Sequence, residues 1–214
     1  MGKKTLQEKK ADAIRRIKEA ATEVFAEVGF EGARIEEIAK RAGVNKAMIY
    51  YRIGDKQALY AAAIHDVFSD TLGRVTKDMG GDKDPREKLK NYICNLSLTM
   101  EKHPYLPSIM LRELALGGKN LPEVAQKDIF RLVRVIMKIL EEGVEKGVFR
   151  RTNPLIVHTM IVGAVLLHRR IQVISPTIRS MPKEMKGMIL EDPRNIADRV
   201  FELVLRAVTR GDSN

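Results

Sequence analysis

The pattern that most restricts this chain lies at residues 34–59, where two short apolar repeats of helical spacing are separated by a single glycine. Ile35, Ile38 and Ala39 fall on one side of a helix and leave Glu36, Glu37, Lys40 and Arg41 for the other. Ala39 is small, as two steeply crossing helices require at their contact. Gly43 follows the last periodic residue and is free to adopt the positive φ that ends a helix. Val44 supplies an apolar plug after the turn, and Asn45 is a strong N-cap for a second helix. Ile49 and Ile53, four apart, share the inner face of that helix. Lys46, Tyr50, Tyr51 and Arg52 are then left outward. Asp55 caps a third helix that begins near Lys56.

Two short helices joined by a tight glycine turn, the second presenting cations and tyrosines, form a helix-turn-helix. Such a unit places its second helix in a DNA major groove. The charge distribution agrees. Lys3, Lys4, Lys9, Lys10, Arg15, Arg16 and Lys18 face only Glu8 and Asp12 in the first 18 residues. Lys40, Arg41, Lys46, Arg52 and Lys56 face only Asp55 in the second excess. The formal net charge of +10 suits a polyanion, either nucleic acid or an acidic membrane surface.

Helical spacing continues through the rest of the 214 residues, and aromatics make up only 5%. A first helix carries Ile14, Ile17, Ala21, Val24, Phe25 and Val28 and stops near Gly29. A long helix runs from Lys56 through Leu59, Ala63, Val67 and Leu72 to the Gly80-Gly81 loop. Further helices follow Pro85, Pro104, Pro122 and Pro154. The predicted fold is all-α, with an N-terminal three-helix DNA-binding domain at 8–55 whose helix-turn-helix spans 34–53. A connecting helix follows at 56–79, then a larger C-terminal helical bundle at 80–214.

Two C-terminal helices are apolar on more than one face. Leu155, Ile156, Val157, Met160, Ile161, Val162, Val165, Leu166 and Leu167 crowd the first; Val200, Leu203 and Val204 with Ala197, Phe201 and Leu205 give the second two stripes. Such helices need burial on both sides, supplied either by a central place in one bundle or by a second copy of the chain. The longest unbroken apolar run, Thr159–Leu167, falls short of the ~20 residues that span a bilayer. No apolar core follows the N-terminal lysines, and the lone Cys94 allows no internal disulfide; a cytoplasmic location is expected. The four histidines and Cys94 show no metal-ligand spacing, so neither metal, cofactor nor catalytic centre is expected.

Residues 20–33, Ala-Ala-Thr-Glu-Val-Phe-Ala-Glu-Val-Gly-Phe-Glu-Gly-Ala, followed by 42–59, Ala-Gly-Val-Asn-Lys-Ala-Met-Ile-Tyr-Tyr-Arg-Ile-Gly-Asp-Lys-Gln-Ala-Leu, resemble the N-terminal domain of the tetracycline-repressor (TetR) family of transcriptional regulators. Segments 103–122 and 142–150 resemble that family's regulatory domain more loosely. The resemblance implies a ligand-responsive regulator, most often a repressor, that dimerises through the helices at 154–172 and 193–210 and reads a pseudo-palindromic operator. It implies DNA contacts from Arg34, Lys46, Ala47, Met48, Tyr50, Tyr51, Arg52 and Lys56. The cations and tyrosines hold phosphates, and Ala47 and Met48 meet base edges. Arg34, Met48 and Arg52 depart from the family's usual residues, which points to an altered operator. It also implies an inducer pocket, for which Met100, Met110, Leu114, Phe130, Met137 and Met160 are the soft, apolar candidates. His103, His158 and His168 lie near apolar stretches and are candidates to orient a ligand. Two other readings compatible with the charge are a non-inducible architectural nucleic-acid-binding protein and a helical module for acyl chains or membranes.

Overall fold

Thr5 starts the first helix. Its hydroxyl accepts from the Glu8 N–H at 3.2 Å, while the Glu8 carboxylate accepts from the Thr5 N–H at 2.7 Å, a reciprocal capping box. The computed structural model describes residues 5–81, 83–177, 179–189 and 193–209, so Lys3 and Lys4 lie outside the described residues. Helix α1 (Leu6–Gly32) leaves helical geometry at Gly29, where φ is 75° and ψ is 176°. A Cβ there would lie 2.7 Å from Cδ of Arg112, so both conformation and space favour glycine. Val28, on the apolar stripe by spacing, is exposed because the helix breaks one residue later.

The next helices are α2 (Ile35–Ala42), α3 (Lys46–Arg52) and α4 (Lys56–Asp78). Gly43 closes α2 in the left-handed region, and Arg16 donates to the Ala42 carbonyl at 2.8 Å. Asn45 Oδ1 accepts from the Ala47 N–H, and Asp55 Oδ1 from the Ala58 N–H, each at 2.8 Å. Beyond them come α5 (Pro85–Lys102), α6 (Leu106–Ala115), α7 (Glu123–Glu145), α8 (Pro154–Ile174), a 3-10 turn (Ser175–Thr177), α9 (Lys183–Ile189) and α10 (Pro193–Val208). Among the described residues the fold is all-helical, apart from an isolated antiparallel bridge between Phe149 and Thr209. Pro104 lies one turn ahead of α6 rather than inside it.

By packing, the chain forms two units: residues up to 68 with 108–127, and residues 69–107 with those from 128 onward. The sequence pattern instead divides the chain at the loop around Gly80 and Gly81. Residues 108–127 join the first unit through specific contacts. The buried Tyr60 hydroxyl donates to buried Glu113 at 2.9 Å, and Arg112 donates to the Glu27 carbonyl at 3.1 Å. The core of this unit is Ile17, Ala21, Val24 and Phe25 of α1, Ile35 and Ile38 of α2, Ile49 of α3, and Leu59 and Ile64 of α4. Phe25 meets Tyr60 edge-on at 4.7 Å.

In the second unit α5, α8 and α10 pack on one another. Leu89, Tyr92, Ile93 and Leu96 of α5 are buried. The Tyr92 hydroxyl lies 2.8 Å from His158 Nδ1 and 3.3 Å from the Leu132 carbonyl, which ties α5 to α8 and α7. Buried Lys88 pairs with Glu142 at 2.8 Å. Thr71 and Thr99 share a hydrogen bond of 2.7 Å in the core, and Arg74 donates to the Thr99 hydroxyl at 2.8 Å.

Pro154–Thr177 is long and apolar enough to cross a membrane by length and composition, although only 22% of that stretch is buried within the chain. Counting the unbroken run Thr159–Leu167 understated it, because apolar residues begin at Leu155 and resume beyond His168–Arg170 as far as Ile174. One face of α8 buries Val157, Ile161, Val165 and Leu166; the other leaves Leu155, Ile156, Met160, Leu167, Ile171 and Val173 exposed.

Phe149 is wholly buried against Gly143, where an added Cβ would stand 1.9 Å from Cδ2 of the ring. Gly143→Ala is therefore expected to destabilise the fold by about 2 kcal/mol or more through overpacking. Gly73→Ala, on the exposed side of α4 with open space around the new methyl, is expected to stabilise by about 0.5–1 kcal/mol. Urea unfolding of the two variants measures both effects, and they should have opposite signs.

Candidate nucleic-acid interface

Helix α3 has seven residues, and Ile49 is the one it buries completely. Lys46, Ala47, Met48, Tyr50, Tyr51 and Arg52 are all exposed, and Tyr51 is 81% exposed. Ile53, expected to face the core with Ile49, is half-buried and ends the helix, its N–H donating to the Ile49 carbonyl at 2.9 Å. A large, amphipathic side chain left so open on a capped helix is suited to contact outside the chain. The Arg52 guanidinium lies 4.9 Å from the centre of the Tyr51 ring, a cation–π contact that orients both groups outward.

The flanking cations differ in how free they are. Arg34 is exposed at the N-cap position of α2 and makes no side-chain cap there. Lys46 Nζ lies 3.0 Å from Oε1 of Glu36. That hydrogen bond holds the Glu36 carboxyl below its usual range and raises the Lys46 ammonium. Lys56 is half-buried; its Nζ sits 3.4 Å from the Glu31 and Ala33 carbonyls and 4.6 Å from the centre of the Phe30 ring. It lies on the end of α1, where two of its three N–H donors meet carbonyls. Arg41 is held by Glu27 at 2.7 Å and Glu37 at 2.8 Å, and both bonds raise its pKa. Glu36 was legible only as part of a polar helix face. It is ten residues from Lys46, and only the turn at Gly43 brings the two together.

The six residues named for an inducer pocket differ in burial. Met100 is buried and lines a cavity of about 10 Å³ with Glu101 of α5, Val165, His168 and Arg169 of α8, and Ile196 of α10. That is room for about one water. Met110 is half-buried, while Leu114, Phe130, Met137 and Met160 are exposed; none of these five borders the cavity. Among the histidines, His168 borders it, His158 bonds Tyr92, and His103 is half-buried. No group of three His, Cys, Asp or Glu side chains able to hold a metal occurs among the described residues. Cys94 is half-buried, and burial raises its thiol pKa, which lowers its reactivity.

A capped helix-turn-helix ahead of a larger helical domain defines the class of the protein. Residues 17–63 match the model for bacterial regulatory proteins of the tetR family, and residues 82–166 match that for the tetracyclin repressor-like C-terminal domain. The chain is 29% identical over 143 residues to the HTH-type transcriptional repressor NicS of Pseudomonas putida, covering 63% of this chain and 64% of NicS. It is 30% identical over 140 residues to the HTH-type transcriptional repressor SCO4008 of Streptomyces coelicolor, covering 65% of this chain and 68% of that one. The fold is similar to that of the transcriptional regulator FadR from Bacillus subtilis in complex with stearoyl-CoA, with a TM-score of 0.70, 21% identity, and coverage of 89% and 97% of the two chains. The chain belongs to the TetR family.

Burial lowers His158 from an ordinary 6.5 to about 4 and also depresses His103. The folded protein therefore binds these protons less readily than the unfolded chain. The stabilisation is whole above about pH 6.5 and is lost as pH falls towards 4. The lowered carboxylates Glu27, Glu36 and Glu142 start from 4.5 and act below this window. Wild type is expected to lose stability between about pH 6.5 and 5. His158→Gln is expected to show a shallower loss, measured by urea unfolding across that range.

Proposed function

We propose that the protein is a homodimeric transcriptional repressor that leaves its operator when a small, largely apolar molecule binds the C-terminal domain. The observation that carries the reading is the outward face of α3, where Tyr50, Tyr51 and Arg52 stand exposed on a helix anchored by buried Ile49. In this reading residues 8–55 form the reading head, and 80–214 bind the inducer and dimerise. Two copies of α3 enter successive major grooves of a pseudo-palindromic site. Arg34, Lys46, Tyr50, Tyr51, Arg52 and Lys56 hold phosphates, while Ala47 and Met48 meet base edges. Relatives with this family's helix-turn-helix are bacterial transcriptional repressors, which supports repression in the cytoplasm.

The exposed side of α8, together with Leu203 of α10, supports dimerisation through the helices at 154–172 and 193–210. Long-chain acyl-CoA is a reasonable first inducer to test, since FadR of Bacillus subtilis is bound to stearoyl-CoA. The cavity bordered by Met100 admits one water, so an inducer of that size must bind a state in which helices part. Induction then requires that this opened state favour a spacing of the two reading heads that fits DNA poorly.

Gel shift with the chain's own upstream region should give a complex at moderate salt that mixed-sequence duplex does not compete away. Tyr51→Ala should abolish it, and Cys94→Ala should leave it intact. Equal binding to all duplexes supports the architectural reading instead, and loss of the complex on adding stearoyl-CoA supports inducible release.

Leu203→Glu and Ile156→Glu, both at exposed apolar positions, should convert a dimer to a 24.2 kDa monomer in light scattering and abolish the specific complex. A wild-type chain that is monomeric and floats with anionic vesicles supports the membrane-binding reading.

A further inference from the structure

The face of α3 carries one group of the wrong sign for a phosphate surface. Glu36 sits in the first turn of α2 with its side chain 64% exposed, and its carboxylate meets Lys46, the first residue of α3, at 3.0 Å. Arg34, two residues before it, adds a second favourable charge beside the same carboxylate. One anion thus answers, by direct contact, one of the cations assigned to phosphate.

The neighbouring carboxylate behaves differently. Glu37 bonds Arg41 at 2.8 Å, and Arg41 is also held by both carboxylate oxygens of Glu27 at 2.7 and 2.8 Å. That cluster is closed on itself and includes none of the side chains assigned to DNA. Two adjacent acids on one helix therefore serve different partners.

We infer that Glu36 is a specificity-determining residue, which holds Lys46 away from phosphate until a correctly seated operator displaces it. The inference rests on the reading of α3 as a DNA-binding helix. An exposed carboxylate repels any duplex, and an exposed lysine already paired with it gives less to counterion release. In a specific complex α3 seats closely enough for Lys46 to exchange Glu36 for a phosphate, so the cation is used there with or without the carboxylate. In a looser non-specific complex the pair persists and withholds Lys46 from the backbone. Glu36 therefore weakens binding to wrong sequences more than to the right one, and discrimination is a difference of affinities.

The test measures the affinity of the full chain for its own upstream duplex and for a mixed-sequence duplex of equal length, across a salt series. Glu36→Gln and Glu37→Gln each remove one negative charge. Glu36→Gln is expected to tighten mixed-sequence binding about 3–10-fold at about 0.1 M salt, and upstream-duplex binding less than about 2-fold. Glu37→Gln is expected to leave the ratio of the two affinities at the wild-type value. Combining Glu36→Gln with Lys46→Met should remove the gain. An unchanged ratio in Glu36→Gln, or the same change in Glu37→Gln, overturns the inference while leaving DNA binding intact. A wild-type chain that binds neither duplex overturns the DNA-binding reading itself, and this inference with it.

Discussion

Ile49 is the anchor on which the reading helix depends. Isolated helices shorter than about 12–15 residues are marginal in water, and α3 has seven. Its helicity is supplied from outside: Asn45 caps the first turn, and Ile49 is buried in a core built with α1, α2 and α4. Gly43 allows the chain to turn sharply enough for that burial, and Arg16 secures the carbonyl at the end of α2. Because one apolar residue and one cap hold the helix, almost all of its remaining surface is free to meet a ligand. A longer, better buried helix would have less of itself to present.

The second unit solves a different problem. Its core contains polar links, Tyr92 to His158, Lys88 to Glu142 and Thr71 to Thr99, each satisfied within the unit. Such links fix how helices register against one another at some cost in stability. Against that specified interior, α8 leaves a row of apolar side chains outside. The same row helps make the helix apolar enough to cross a membrane and is why a second copy of the chain is the proposed cover.

Periodicity, glycines and caps made the helices legible. Asn45, Asp55, Pro85 and Pro154 act at helix starts through short-range hydrogen bonds or a fixed φ. Local spacing likewise left Lys46, Tyr50, Tyr51 and Arg52 outward, where the structure has them. It did not distinguish buried from exposed methionines. Met160 and Met137 share the composition of a pocket lining with Met100, yet they are exposed and Met100 is buried. Apolarity tells that a side chain gains from burial, but not which neighbour buries it. The place of residues 108–127 was equally hidden, since Glu113 reaches Tyr60 across 53 positions.

From the sequence alone follow an all-helical chain, a helix-turn-helix at 34–53 with its outward cations and tyrosines, and two C-terminal helices with more apolar surface than one chain buries. These rest on interactions within a few residues, where helical geometry dictates who meets whom. Tertiary structure alone decided that Lys46 is paired with Glu36, that Lys56 lies on the end of α1, and that the cavity bordered by Met100 is only about 10 Å³. Those outcomes depend on how separate helices cross, and a side chain chooses among partners only after the crossing is set.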